Sequence, residues 1–175
     1  MVFLSGGKHC TSRALLAASL RRYLGRSALP KLDKTERGKP YFPDFPHLHT
    51  SLSHSGELVL CALSCNPVGV DLELTLPRQA ALPRYALTPL ELSQWEASGK
   101  SWPAFYQLWT RKEAWCKLTG EGLAPTLRRN IPTMGLTWAY YQGENWLASL
   151  CGQEELPPEI CWLEEVNEED DPWQS

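Results

Sequence analysis

The chain has 175 residues, of which 43% are hydrophobic, and a net charge of −3. This size predicts one compact domain or two small halves that share a core. The acidic balance argues against general binding to nucleic acid or to an anionic membrane, and no apolar run approaches the roughly 20 residues that span a bilayer. The sequence starts without the basic and apolar regions of a signal peptide, and its six cysteines form no C-x-x-C pair. We therefore expect a cytoplasmic protein with reduced thiols.

The first half of the chain predicts one helix and two strands. Apolar residues at helical spacing predict a helix over 11–25, which Gly25 ends. The basic stretch 31–46 contains glycine and proline and is predicted to be a loop. Residues 58–63 and 68–74 predict two strands. Because the turn-forming pair Asn66-Pro67 lies between them, we expect these strands to be hairpin partners.

The second half predicts two helices, two strands and an acidic tail. Thr88 can cap a helix, and Glu91 has the position of a capping-box carboxylate. A second helix is predicted over 103–118 and ends at Gly120. Two further strands are predicted over 135–141 and 146–151. The tail 164–171 has six acids in eight positions, which predicts a solvated, mobile segment.

Two carboxylates lie in the second predicted strand, in the tripeptide Asp71-Leu72-Glu73. Because side chains alternate along a strand, Asp71 and Glu73 project from the same face. Two carboxylates so close repel each other unless a cation lies between them, and oxygen ligands suit Mg²⁺. The alternative is an acidic edge that faces solvent, and the spacing by itself favours that alternative.

Two further segments could bind a phosphate. Glu113 and Lys117 are four residues apart on a predicted helix, so they share a face that could hold a metal ion and a phosphate; an ordinary surface ion pair is the alternative. In Ser-Leu-Ser-His-Ser-Gly at 51–56, hydroxyls, backbone N–H groups and His54 could donate to a phosphate. The alternatives there are a polar loop or, more weakly, a Ser–His nucleophile. Other cations are Arg13, Lys34, Arg37 and Lys39, and for Lys34 and Arg37 a solvated basic face is favoured.

Four motifs follow one another along the chain. They are G-K-P-Y-F at 38–42, S-L-S-H-S-G at 51–56, V-G-V-D-L-E at 68–73 and W-T-R-K-E-A-W-C-K at 109–117. In order, spacing and identity, the series closely resembles the Sfp-type phosphopantetheinyl transferases, whose pattern reads GKP, N-x-SHS, (V/I)G(V/I)D(V/I)E and WxxKE(A/S)xxK. Ser51 replaces the asparagine of the second motif, and the N-terminal strand of longer members has no clear counterpart in the sequence.

The resemblance implies an α+β fold, built as a pseudo-dimer of two related α+β halves at 1–66 and 67–175, with coenzyme A in the cleft between them. It implies an enzyme that transfers 4′-phosphopantetheine from coenzyme A to a serine of an acyl, polyketide or peptidyl carrier protein and releases adenosine 3′,5′-bisphosphate. The implied cofactor is Mg²⁺, with Mn²⁺ as an alternative. We expect a monomer that binds neither nucleic acid nor membrane.

The resemblance also implies roles for individual residues. The implied metal ligands are Asp71, Glu73 and Glu113. The residues implied to hold coenzyme A are Arg13, Lys39, Ser53, His54 and Lys117. The implied catalytic residues are Glu113, Lys117 and His54. Four residues near the cleft could dock the carrier protein, although core packing is the favoured role for all of them: Tyr85, Leu87, Trp115 and Leu118.

Two other classes of protein compete with this interpretation. A metal-dependent nuclease would also use a D-x-E pair with a later lysine, but the acidic balance and the lack of a basic stripe oppose it. A coenzyme-A-binding protein that has lost catalysis would lack one of the motif carboxylates or the motif lysine. All three motif carboxylates and Lys117 are present, which favours the enzyme.

Overall fold

The computed structural model describes residues 1–25, 28–132, 134–166 and 171–173. In chain order the elements are β1 (Phe3–Lys8), α1 (Ser12–Leu24), β2 (Asp33–Lys34), β3 (Pro40–Tyr41), β4 (His49–Ser55), β5 (Leu58–Ser64), β6 (Gly69–Leu74), α2 (Leu82–Ala86), α3 (Pro89–Ala97), α4 (Trp102–Thr119), α5 (Leu123–Leu127), β7 (Thr137–Gln142), β8 (Trp146–Gly152) and β9 (Cys161–Trp162). The predicted α+β class is confirmed.

Two sheets form the frame of the molecule. The first sheet has the strand order β4-β5-β1-β9, and the second sheet has the order β6-β8-β7. Strand β5 is antiparallel to both β4 and β1, and β8 is antiparallel to both β6 and β7. Strand β9 runs parallel to β1, so a strand from the C-terminal part of the chain completes the first sheet.

The continuous apolar sequence of β5 follows from burial on both faces. Leu60 and Ala62 belong to a core that also contains Val70 and Leu72 of β6, so this core lies between the two sheets. The alternate residues of β5 pack with Leu15 and other apolar residues of α1. A strand covered on both faces reads as an unbroken hydrophobic run, as the sequence has it.

The helix boundaries agree closely with the sequence predictions. Thr11 accepts a hydrogen bond from Ala14 N at 3.1 Å, and Gly25 adopts a left-handed φ of 61° at the end of α1. The capping box is present at the start of α3, where Glu91 Oε2 accepts from Thr88 N at 2.8 Å. Gly120 ends α4 with a φ of 70°. None of the described helices is both long and apolar enough to cross a bilayer.

The predicted hairpin between residues 58–63 and 68–74 is wrong. Both edges of β5 are occupied, one by β4 and the other by β1, so no edge is left for β6. Strand β6 pairs instead with β8 from the far end of the chain. Strand β1 at Phe3–Lys8 was not predicted from the sequence.

Two further expectations need correction. The 51–56 segment is not a loop, because all but its last residue belong to β4. The acidic tail is not simply solvated: Val166 is buried against the α1 core, and the Asp171 carboxylate lies 3.9 Å from Arg13 Nε. The rest of that predicted segment, residues 167–170, lies outside the described residues. All six cysteines are free thiols.

Candidate active site

Helix α4 lies directly on β6 at the start of the acidic motif. At Gly69 an added Cβ would fall 1.9 Å from the carbonyl oxygen of Ala114, so only glycine permits this approach. Glu113 immediately precedes Ala114, and Lys117 follows one turn later. The close contact between strand and helix therefore brings Glu113 and Lys117 to the strand that contains Asp71 and Glu73.

Asp71 is the most buried acid of this cluster, with a residue exposure of 4%. Its Oδ1 accepts hydrogen bonds from Lys117 Nζ at 2.7 Å and from Ser53 Oγ at 2.8 Å. Its Oδ2 is buried and has no hydrogen-bond partner among the described residues. Burial raises the pKa of Asp71, and the Lys117 ammonium opposes that shift. An unsatisfied buried carboxylate oxygen costs free energy, so this atom is a candidate for an external partner.

Glu73 points to the same side of β6 and has a more open environment. Its Oε1 accepts a hydrogen bond from the indole Nε1 of Trp109 at 3.1 Å, and its Oε2 accepts from Ser55 Oγ at 3.2 Å. Arg78 Nη2 lies 3.4 Å from the same Oε2. The Arg78 guanidinium is in turn held by the Tyr106 hydroxyl, which accepts from Arg78 Nε at 3.0 Å.

Glu113 is half-buried on α4, and its ionisation depends on the other two acids. Burial raises the pKa of Glu113 to about 7, with Asp71 and Glu73 adding to the shift and Lys117 opposing it. The three carboxylates therefore lie within electrostatic reach of one another. No three His, Cys, Asp or Glu side chains of the described residues stand close enough together to form a ready-made metal site. The metal-ligand assignment stays a prediction.

A cavity of about 180 Å³ opens beside this cluster, on the side of the GKP motif. Its walls include Lys39, Thr50, Ser51, Cys116 and Lys117. Lys39 Nζ donates to the carbonyl oxygen of Leu118 at 2.5 Å, and burial lowers the pKa of this lysine. Two of the predicted coenzyme residues, Lys39 and Lys117, thus meet at one cavity.

The other predicted coenzyme residues lie elsewhere. Ser53 is buried, and its hydroxyl is directed at Asp71 rather than at the cavity. His54, the next residue of β4, is exposed. Arg13 on α1 donates to the carbonyl oxygen of Trp173 and faces Asp171. Of the predicted carrier-docking residues, Tyr85 is 80% exposed, whereas Leu87 is 7% exposed and packs in the core with α4.

Sequence reasoning missed three residues that contact the acidic cluster: Ser55, Arg78 and Trp109. Ser55 and Trp109 belong to the motifs, but their contacts with Glu73 depend on strand and helix placement that no spacing rule gives. Arg78 has only the signal of a basic residue shortly after an acidic strand, five positions from Glu73.

The fold and this cluster define an α+β protein with acids and a lysine gathered where a helix meets the edge of a sheet. Residues 67–167 match the family described as the 4′-phosphopantetheinyl transferase superfamily. The chain belongs to this superfamily, and the Sfp-type resemblance is confirmed.

Three relatives illustrate the similarity. The 4′-phosphopantetheinyl transferase Sfp of Bacillus subtilis (strain 168) is 38% identical over 91 residues, which are 51% of this chain and 41% of that protein. A putative 4′-phosphopantetheinyl transferase of Synechocystis is 36% identical over 132 residues, 73% of this chain and 50% of that protein. One of Haemophilus influenzae is 29% identical over 171 residues, 86% of this chain and 72% of that protein. The chain spans about half the length of the first two relatives.

Proposed function

We propose that this protein transfers the 4′-phosphopantetheine group from coenzyme A to a serine of a carrier protein, depends on Mg²⁺, and releases adenosine 3′,5′-bisphosphate. The observation that supports this most directly is that Lys117 bonds to Asp71 and lines a cavity together with Lys39, while Glu113 lies within electrostatic reach of Asp71 and Glu73. Family membership and the transferase names of the relatives point to the same reaction.

The proposed architecture is a pseudo-dimer of halves at 1–66 and 67–175. Its support is a repeated order of elements: β1, α1, β4 and β5 in the first half correspond to β6, α4, β7 and β8 in the second. The strand orders β4-β5-β1 and β7-β8-β6 then match position by position, with antiparallel neighbours in both. Strand β9 is the exception, because it joins the sheet of the first half.

The proposed Mg²⁺ site uses the carboxylates of Asp71, Glu73 and Glu113, with Mn²⁺ as an alternative ion. These residues fit the ion chemically, since all three offer oxygen ligands and one oxygen, Asp71 Oδ2, is buried without a partner in the described part of the chain. The like-charge contribution to the raised pKa of Glu113 is the repulsion that a bound cation would relieve. When bound, the ion would neutralise charge on the pyrophosphate oxygens.

The proposed chemistry exchanges one P–O bond for another. The serine oxygen bonds to the β-phosphorus of coenzyme A, and the bond from that phosphorus to the bridging oxygen of the nucleotide breaks. Glu113 is the proposed acceptor of the serine proton. A carboxylate that also binds the ion is a weak base, so the position of Glu113 beside the bound serine has to compensate. The nucleotide leaves with the bridging oxygen as part of its phosphate.

Lys117 is the proposed cation that faces the phosphates from the protein side. An ammonium has three donors, and two of these go to Asp71 and Ser53. The third remains for a phosphate oxygen at the mouth of the cavity, where Lys39 would hold a second phosphate. His54 and Arg13 keep their predicted coenzyme roles as proposals; in this structure Arg13 is engaged by Asp171 and Trp173.

The proposed partner is an apo carrier protein of fatty acid, polyketide or peptide synthesis. Tyr85 is the docking candidate with the strongest structural support, since it is exposed on α2, beyond the end of β6. A cytoplasmic location, a monomeric state and the absence of nucleic-acid or membrane partners belong to the same proposal.

Intact-mass spectrometry tests the proposed function. Apo acyl and peptidyl carrier proteins are incubated with the protein, coenzyme A and Mg²⁺, and the carrier should gain about 340 Da, the mass of the transferred group in this phosphoryl transfer. Chelation of Mg²⁺ should prevent the gain. Unmodified carriers of both types would contradict the proposal.

A pair of matched variants separates catalysis from general charge effects. Glu113→Gln should abolish transfer, because it removes a proposed ligand and the proposed base. Glu96→Gln makes the same chemical change in an exposed i,i+4 ion pair with Lys100, at 3.3 Å, and should leave transfer unchanged. Equal activity in the two variants would remove Glu113 from the mechanism.

A further inference from the structure

Three serines of β4 contact the free edge of β6 in a regular ladder. Among the described strands β6 pairs only with β8, on one edge, so alternate backbone N–H groups point outward from its other edge. Those N–H groups donate to serine hydroxyls as follows: Val70 N to Ser51 Oγ at 3.0 Å, Leu72 N to Ser53 Oγ at 3.1 Å, and Leu74 N to Ser55 Oγ at 3.0 Å.

The ladder satisfies backbone groups that would otherwise be orphaned. A buried N–H without a partner is costly, and a strand edge normally finds its partners in another strand. Here the two strands belong to different sheets, and side-chain hydroxyls at a period of two replace the backbone carbonyls. The serines of the S-x-S-x-S pattern of β4 therefore link the first sheet to the second through three hydrogen bonds.

Two of the three hydroxyls have a second task. A hydroxyl has one donor and two acceptor positions. Ser53 Oγ accepts from Leu72 N and from Lys117 Nζ, at 2.9 Å, and donates to Asp71 Oδ1, so all its positions are used. Ser55 Oγ donates to Glu73. Ser51 lies at the corresponding step of the ladder beside Gly69, where β6 offers no carboxylate.

We propose that Ser53 and Ser55 are positioning residues that orient Asp71 and Glu73 toward the cation. This inference rests on the proposed function, because it assumes the carboxylate metal site. In the arrangement of this structure the Ser53 O–H is directed at Asp71, and a phosphate would have to compete with that carboxylate for it. The same hydroxyl also accepts from Lys117 beside Asp71, so one side chain fixes both a carboxylate and an ammonium of the site.

The test compares Ser53→Ala with Ser51→Ala. Each variant removes one acceptor of the ladder, from Leu72 N or Val70 N, so both should lower the midpoint of urea unfolding. Only Ser53→Ala removes a donor to Asp71. Titration of the full-length proteins with Mn²⁺, followed by electron paramagnetic resonance, should show affinity reduced about 10-fold or more in Ser53→Ala, as is typical when a partner of a metal ligand is lost. Ser51→Ala should bind Mn²⁺ like the unsubstituted protein.

A metal-free measurement complements the titration. In a double-mutant cycle by urea unfolding, Ser53→Ala should couple with Asp71→Asn, whereas Ser51→Ala should not. Should Ser53→Ala fail to fold, Ser55→Ala at the half-buried end of the ladder tests the same idea through Glu73.

The possible failures can be told apart. If the unsubstituted protein binds Mn²⁺ and Ser53→Ala binds it equally well, the positioning role is wrong and the proposed function stands. If the unsubstituted protein binds no Mn²⁺, the carboxylate metal site is wrong, and the positioning inference falls with it.

Discussion

Gly69→Ala should lower both stability and transfer activity more than the addition of one methyl group normally does. The substitution disturbs the contact that brings α4 to the acidic strand. The added Cβ would lie 1.9 Å from Ala114 O and 2.7 Å from Leu118 N. Both are backbone atoms of α4, so no side-chain rotation can relieve the clash. An ordinary carbon contact is about 3.5 Å, so the helix has to retreat by roughly 1.5 Å.

The expected cost has two parts. Overpacking of a well-packed core costs about 1–3 kcal/mol and occasionally more, which urea unfolding measures directly. Retreat of α4 also moves Glu113 and Lys117 away from Asp71, and a displacement of about 1 Å can reduce catalysis roughly 100-fold. We therefore expect transfer, measured by intact-mass spectrometry of the carrier, to fall by at least that factor in molecules that remain folded.

Gly152→Ala is the matched control in the same sheet. Its Cβ would meet Leu156 Cδ2 at 3.4 Å and Pro67 O at 3.8 Å, which are ordinary contacts. This variant should change the free energy of unfolding by less than about 1 kcal/mol and leave transfer intact. Equal stability and equal activity in the two variants would refute the close approach of α4 and β6 as the reason for glycine at 69.

Two further predictions concern buried charge. Lys112 is fully buried, lies 2.8 Å from Glu91, and donates to the carbonyl oxygens of Leu127 and Arg129. Lys112→Met should therefore lower the free energy of unfolding by about 3–5 kcal/mol, because it leaves Glu91 buried and unpaired. A loss below about 1 kcal/mol would show that the pair is not buried. Between the ordinary glutamate pKa of 4.5 and about 7, the folded protein keeps a proton on Glu113 that the unfolded chain has released. The metal-free protein should therefore lose stability as pH rises through this range. The expected loss is roughly 1–2 kcal/mol after allowance for partial exposure. Urea unfolding without divalent ions measures this slope, which Glu113→Gln should reduce, and an identical slope in that variant would contradict the assignment.

The sequence predicted those features that depend on near neighbours. The local features are capping at Thr88, the glycine stops at Gly25 and Gly120, and the alternation that places Asp71 and Glu73 on one face. Each of them is found in the structure. The motif series also identified the family from the order and spacing of its residues.

The errors arose where long-range pairing decides the structure. Whether β6 can pair with β5 depends on which strands already pair with the edges of β5. One of them is β1, about 50 residues earlier in the chain. Similarly, the hydrogen bonds of the serine hydroxyls of 51–55 to β6 could not be predicted, because their common partner, the outer edge of β6, is set by the packing of two sheets. Hydroxyl groups give no sequence signal for which acceptor they will meet.

The central claim is that Asp71, Glu73 and Glu113 share one divalent cation, and Mn²⁺ binding tests it most directly. Electron paramagnetic resonance in the presence of coenzyme A should count one bound Mn²⁺ per chain, since such ions complete their ligand shell with substrate phosphates. Asp71→Asn, Glu73→Gln and Glu113→Gln should each weaken this binding at least about 10-fold. Undiminished Mn²⁺ binding in Glu113→Gln would contradict the account, because the carboxylate of Glu113 would then not be a ligand of the ion.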